Sequence, residues 1–264
     1  MTPSSLATIV YDGQDRQVAW RGLNMVDGDG FDGFMAGDVA ARLHDREGAV
    51  VFETHLRGLA GTGFARDSLH AILVAEIPEE RDWAVGEAVA EAYLGRECAI
   101  IWPWNMSRDK RNPVASMPGA DLVGFEAHGD KVRLALGEVK TSSDACSPPG
   151  VMNGRSGMSH QIDNLATRLS LVCQLLKWLL PRCKSTEYEA LFNGAIAAYL
   201  DSGNRDVALF GVLVRDTTPT ELDLQARGRQ LAGSLCDPTT CQLIAIYIPC
   251  AISALPARVS GGGS

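Results

Sequence analysis

Residues 121–140 restrict the folds open to this chain more than any other stretch. Asp121 to Glu126 and Lys131 to Lys140 are two runs with strand character, joined by Ala127-His128-Gly129-Asp130, a turn whose glycine suits positive φ. In the second run Val132, Leu134 and Leu136 fall on one face, and Glu138 and Lys140 continue it while Val139 points the other way. A buried apolar face therefore runs straight into a carboxylate and an amine, which solvent exposure alone does not produce. Antiparallel pairing across the turn sets Asp121 near Glu138.

The flanking segments predict an α/β sheet packed with helices. Trp83 to Leu94 reads as a helix with Gly95 as its C-cap, and residues 98–102 as a short strand. Arg108, Lys110 and Arg111 form a basic loop before the hairpin. Residues 141–158, rich in Ser, Gly and Pro, read as a mobile loop. A long helix is expected from Ser159, as N-cap, to Leu180, ended by Pro181, followed by a helix over 186–201. Asp206 to Val214 reads as a central strand and Gln242 to Ile248 as the last one. Between them a helix over 219–235 is predicted, with Thr218 as N-cap and Pro219 in its first turn.

Residues 1–82 carry weaker signals and are treated as an N-terminal α+β extension, either integral to the fold or partner-binding. Leu6 to Tyr11 and Ala49 to Thr54 read as short strands, and Asp27 to Gly33 and Gly58 to Gly63 as turns. The Asp-Gly run has no glutamate at the twelfth position of a calcium loop, and Gly61-Thr62-Gly63 lacks the lysine of a phosphate loop. Residues 83–259 are the expected core, and 260–264 read as a linker remnant.

The 264 residues are 46% hydrophobic, enough for a real core without disulfides. Seven scattered cysteines, an odd number with no Cys-x-x-Cys pair, read as reduced and mostly buried thiols. Cys236 and Cys241 make a poor zinc pair without a nearby histidine. No basic-then-apolar leader and no membrane-length apolar run is visible, so a cytoplasmic location is expected. No Gly-x-Ser-x-Gly or cysteine signature points to a serine or cysteine hydrolase. The net charge of −8 argues against a stand-alone DNA grip, because such proteins carry basic surfaces.

Two carboxylates and a lysine at one strand end suit phosphodiester hydrolysis. Magnesium takes one or two carboxylates plus waters and substrate phosphate, and lowers the pKa of an attacking water. Asp121 and Glu138 would be its ligands, the Val139 carbonyl an added oxygen, and Lys140 the group that orients water or steadies developing charge. A Glu-x-Lys pair by itself is common on surface hairpins; the aspartate on the preceding strand and the surrounding helices give it weight.

With these features the chain resembles the PD-(D/E)xK nuclease superfamily. The resemblance rests on helix 83–94, Asp121 after Pro118-Gly119-Ala120, Gly137-Glu138-Val139-Lys140, and Gln161 near the start of the following helix. No proline immediately precedes Asp121. The resemblance implies a restriction-endonuclease-like mixed sheet, magnesium or manganese, metal support from Glu87 with Glu91 one turn on, and an active-site role for Gln161. Gly119 to Phe125 and Leu136 to Ser142 are more closely similar to the HamA family, the nuclease effectors of Hachiman antiphage defence. That likeness implies a superfamily 2 helicase partner (HamB-like) and degradation of DNA with little sequence preference once the helicase meets abnormal DNA. The alternative is a non-catalytic module of the same fold that docks on a helicase or binds DNA ends.

Overall fold

A computed structural model describes residues 6–75, 81–109, 119–129 and 131–260. Lys110, Arg111, Pro118, Asp130 and the expected linker beyond Ser260 lie outside them. The strands are β1 (Ala7–Asp15), β2 (Val18–Met25), β3 (Ile100–Ile101), β4 (Leu122–His128), β5 (Lys131–Ser142), β6 (Val207–Arg215) and β7 (Thr240–Tyr247). The helices are α1 (Asp29–Phe34), α2 (Ala40–Leu43), α3 (Arg46–Leu59), α4 (Gly63–Ala75), α5 (Asp82–Glu97), α6 (Met158–Thr167), α7 (Leu169–Cys183), α8 (Glu189–Asp201), α9 (Gln225–Ser234) and α10 (Leu255–Ser260). A π-helical turn, Met35–Val39, joins α1 to α2.

The strands form one seven-stranded mixed sheet in the order β1-β2-β7-β6-β5-β4-β3. β5, β6, β7 and β2 run parallel, and the β1/β2, β4/β5 and β3/β4 pairs are antiparallel. Because β2 pairs with β7 from Val18 to Asn24, the N-terminal strands continue the sheet that carries the hairpin. β6 is buried along its whole length, as expected of an apolar strand covered on both faces. Its Phe210, Val212 and Val214 join the core that holds Phe31, Val85, Val89 and Leu255, from α1, α5 and α10. Leu209 and Leu213 join the opposite core, with Met158, Ile162, Leu175, Phe192 and Leu231 from α6 to α9. The α/β sheet flanked by helices agrees with the sequence reading at that level.

Several local expectations fail. Residues 49–54 lie inside α3 rather than in a strand. Their β-branched Val50 and Val51 are overridden by an N-cap, where Asp45 accepts from the Gly48 N–H. The expected turn at 27–33 contains the start of α1. Strand β2 lies in a stretch given no element. Helix α5 runs through Gly95 to Glu97, and the predicted strand over 98–102 shrinks to two residues. The single helix over 159–180 is two, broken at Arg168, where φ is −90° and ψ is 90°. Nearby the Thr167 hydroxyl donates to the Asp163 carbonyl at 2.7 Å, a local bond that competes with helix continuation. Ser159 lies within α6, its hydroxyl donating to the Met152 carbonyl, and Gly157 precedes the helix. Pro181 sits inside α7, two residues before its end. α8 begins at Glu189, and α9 at Gln225 rather than 219, after a 3-10 turn at Glu221–Asp223 capped by Thr220. All seven cysteines are free, but Cys146, Cys173 and Cys236 are exposed. Among the described residues no helix is long and apolar enough to cross a membrane.

Candidate active site

The register of β4 on β5 pairs Leu122 with Gly137, so the next step sets Asp121 level with Glu138. Asp121 lies just before β4, and its Oδ2 accepts the Val139 N–H at 2.8 Å. That bond satisfies a strand donor beyond the end of the β4 ladder and fixes the aspartate against β5. Glu138 and Lys140 share a face as strand alternation requires, and Lys140 Nζ donates to Glu138 Oε1 at 2.6 Å.

Glu138 is only 5% exposed. Burial, then the charge of Asp121 and a hydrogen bond to its side chain, push the Glu138 carboxyl up to about 7, with Lys140 acting in the opposite direction. Desolvation and carboxylate crowding therefore outweigh the lysine. On the neighbouring strand Gly211 is level with Glu138. A Cβ there would lie 2.7 Å from Ile162 Cδ1 and 2.9 Å from Met158 Sδ, so glycine is what allows α6 to cover this face.

Across the sheet, α5 approaches β5 at Gly86, where an added Cβ would lie 1.9 Å from Thr141 Oγ1. This close approach brings Glu87 and Glu91 to the strand ends. With Asp121 they line a cavity of about 30 Å³ shared with Arg42, Asn105 and Ser107. Glu91 is 8% exposed and Glu87 is half-buried. Glu138 and Lys140 are not among the lining residues, so Asp121 is the link between the cavity and the Glu138–Lys140 pair.

The structure thus brings together Asp121, Glu138, Val139 and Lys140, and places Glu87 around one cavity with Asp121. Gln161 lies on α6, where its amide donates to the Arg155 carbonyl at 3.4 Å. Of the basic loop, Arg108 is held by Asp45 at 2.6 Å and lies 4.9 Å over Trp104. Trp178 packs under Arg182 and donates to Asp109 at 2.7 Å, a packing role. Arg215 faces no cleft: it is fully buried, paired with Asp223 at 2.6 Å, and donates to the carbonyls of Asp144 and Cys146. Those bonds, with Asp144 accepting from Cys146 N and Gly150 N, tie down the loop expected to be mobile.

Arg42, Asn105 and Ser107 were not legible as site residues. Arg42 lies 79 positions before Asp121, and nothing local marks it. Among the described residues, no three or more His, Cys, Asp or Glu side chains form a metal-holding group. Compared with protein-family models and with curated proteins, the chain matches none.

Proposed function

We propose that the chain is a metal-dependent DNA nuclease of the PD-(D/E)xK type, similar to HamA effectors, working with a helicase. The observation that carries this reading is Glu138: a buried carboxyl crowded by Asp121 and hydrogen-bonded to Lys140 at the end of an apolar strand face. A structural ion pair gains nothing from a second carboxylate beside it. A divalent cation relieves that crowding, so the donor set fits magnesium or manganese, which need only one or two carboxylates plus water and phosphate oxygens. Asp121 and Glu138 would hold the ion, with Glu87 supporting it from α5.

When bound, such an ion supplies charge for the phosphate and activates water. The chain's own residues do the rest. Asp121 is oriented by the Val139 N–H, and Glu138 is fixed beside it by Lys140. Lys140 carries positive charge to where an oxyanion develops. The net charge of −8 supports weak DNA binding by the chain alone. Support for a protein partner comes from apolar side chains exposed on α3 and α4, among them Val50, Val51, Leu59 and Phe64, the last 84% exposed.

The test is Glu138→Ala with Lys140→Ala, assayed for magnesium-dependent DNA cleavage with and without a candidate helicase. Cleavage is expected to vanish while the circular dichroism spectrum and melting remain those of a folded protein. Undiminished cleavage by the double variant would refute the assignment. A wild type that neither cleaves nor shifts its melting with magnesium or manganese would favour the docking module.

A further inference from the structure

We infer that Arg42 is a phosphate-binding residue of the candidate active site, contributed by the N-terminal part of the chain to hold the DNA backbone beside Asp121. The inference rests on the nuclease reading above and adds a residue to it.

Three observations carry it. First, Arg42 lines the same cavity as Asp121, Glu87 and Glu91, and is the one cation among the described residues that line it. Lys140, the other cation of the site, is engaged by Glu138 at 2.6 Å. Second, Arg42 forms no ion pair among the described residues, whereas Arg108, Arg133, Arg182 and Arg215 each hold an aspartate or glutamate at 2.6–2.8 Å. A half-buried arginine that lines the cavity and forms no ion pair among the described residues is available for another anion.

Third, its backbone is anchored. Asn105 Nδ2 donates to the Arg42 carbonyl at 2.7 Å and Ser107 Oγ to the Leu43 carbonyl at 3.4 Å. Two residues on, the Asp45–Arg108 pair at 2.6 Å ties the end of α2 to the same 105–108 segment. The side chain therefore springs from a fixed base, and among the described residues its guanidinium donates no hydrogen bond. A planar fork of donors matches the paired non-bridging oxygens of a phosphodiester better than a point charge does. The carboxylates of the cavity would hold a metal, and Arg42 would take the phosphate of the bound strand.

The test measures DNA binding by the full chain in EDTA, which removes cleavage from the readout. The probes are short fluorescein-labelled single and double strands of mixed sequence, followed by anisotropy over a salt series. Arg42→Ala is expected to weaken binding about tenfold, as loss of a charge-assisted contact does, and to lower the salt slope by about 1. Arg42→Lys should restore the slope and only part of the affinity. Arg229→Ala, which removes an equal charge from exposed α9, should leave the slope nearly unchanged. Melting temperature and manganese binding, read by electron paramagnetic resonance, should not fall in Arg42→Ala.

Equal affinity and slope for wild type and Arg42→Ala would overturn the inference while leaving the nuclease reading standing. So would an equal loss in Arg229→Ala, or a fall in melting temperature that Arg42→Lys does not repair. A wild type that binds neither probe at low salt would overturn the inference, and one that also cleaves neither with magnesium restored and a candidate helicase present would overturn both.

Discussion

Glu138→Gln should make the metal-free protein more stable, not less. Raising a carboxyl from 4.5 to about 7 means that its ionised form is disfavoured in the fold, at about 1.4 kcal/mol for each tenfold. Over that interval the ionised side chain costs about 3 kcal/mol relative to a neutral one, with the attraction of Lys140 already included. The pH dependence follows from which state holds the proton. Below pH 4.5 both folded and unfolded chains are protonated at Glu138, and the substitution gains nothing. Between 4.5 and about 7 only the folded state keeps the proton, so wild-type stability falls as pH rises. Above that both states are ionised and the full penalty is present. In EDTA above neutral pH, Glu138→Gln should therefore be up to about 3 kcal/mol more stable, a rise of roughly 6 to 12 °C in melting temperature for a domain of this size. The gain should fade as the pH is lowered from about 7 to 4.5. Urea unfolding or calorimetry reads both. If Glu138–Lys140 were simply a stabilising ion pair, the substitution would lower the melting point at high pH; that result would refute the crowding argument and remove the main support for a metal site.

Two further outcomes follow from the same geometry. Manganese affinity should fall about tenfold per pH unit below about 7, because the cation must displace the Glu138 proton, and should level off above it; titrations followed by electron paramagnetic resonance check this. Arg215→Met leaves Asp223 buried with Tyr247 as its remaining side-chain donor, and should cost about 3–5 kcal/mol in urea unfolding, much of it recovered by Arg215→Met with Asp223→Leu.

How much was readable from sequence depended on how local each determinant is. The α5 helix, the hairpin and strands β6 and β7 follow from hydrophobic period, and the convergence of Asp121, Glu138 and Lys140 from strand parity and a short turn. Each follows from a pattern within one element or from pairing across one short turn. β2 was illegible because its alternation slips: Val18 and Trp20 are buried on one parity, then Leu23 and Met25 on the other. Its pairing with β7 spans more than 200 positions. Gly86 and Gly211 carry no pattern of their own, yet their missing side chains set where α5 and α6 lie. Arg42 and Asn105 reach the site by long-range packing, which periodicity does not encode.

The acidic total charge and the geometry of the cations lead to one view of how such a site meets DNA. Phosphate affinity depends on cations that are free to displace counterions. Here Arg57, Arg96, Arg108, Arg133, Arg182, Arg215 and Arg258 all spend their charge on carboxylates of the same chain. Arg215 is beyond the reach of any ligand. Lys140 is held by Glu138 until something competes for that carboxylate. A divalent cation on Asp121 and Glu138 would be such a competitor, freeing the lysine as it binds. Metal loading and positive charge at the strand end are then coupled through one side chain, Glu138. Under the proposed function, an acidic protein arranged this way would hold DNA poorly on its own and would act where a partner delivers the strand.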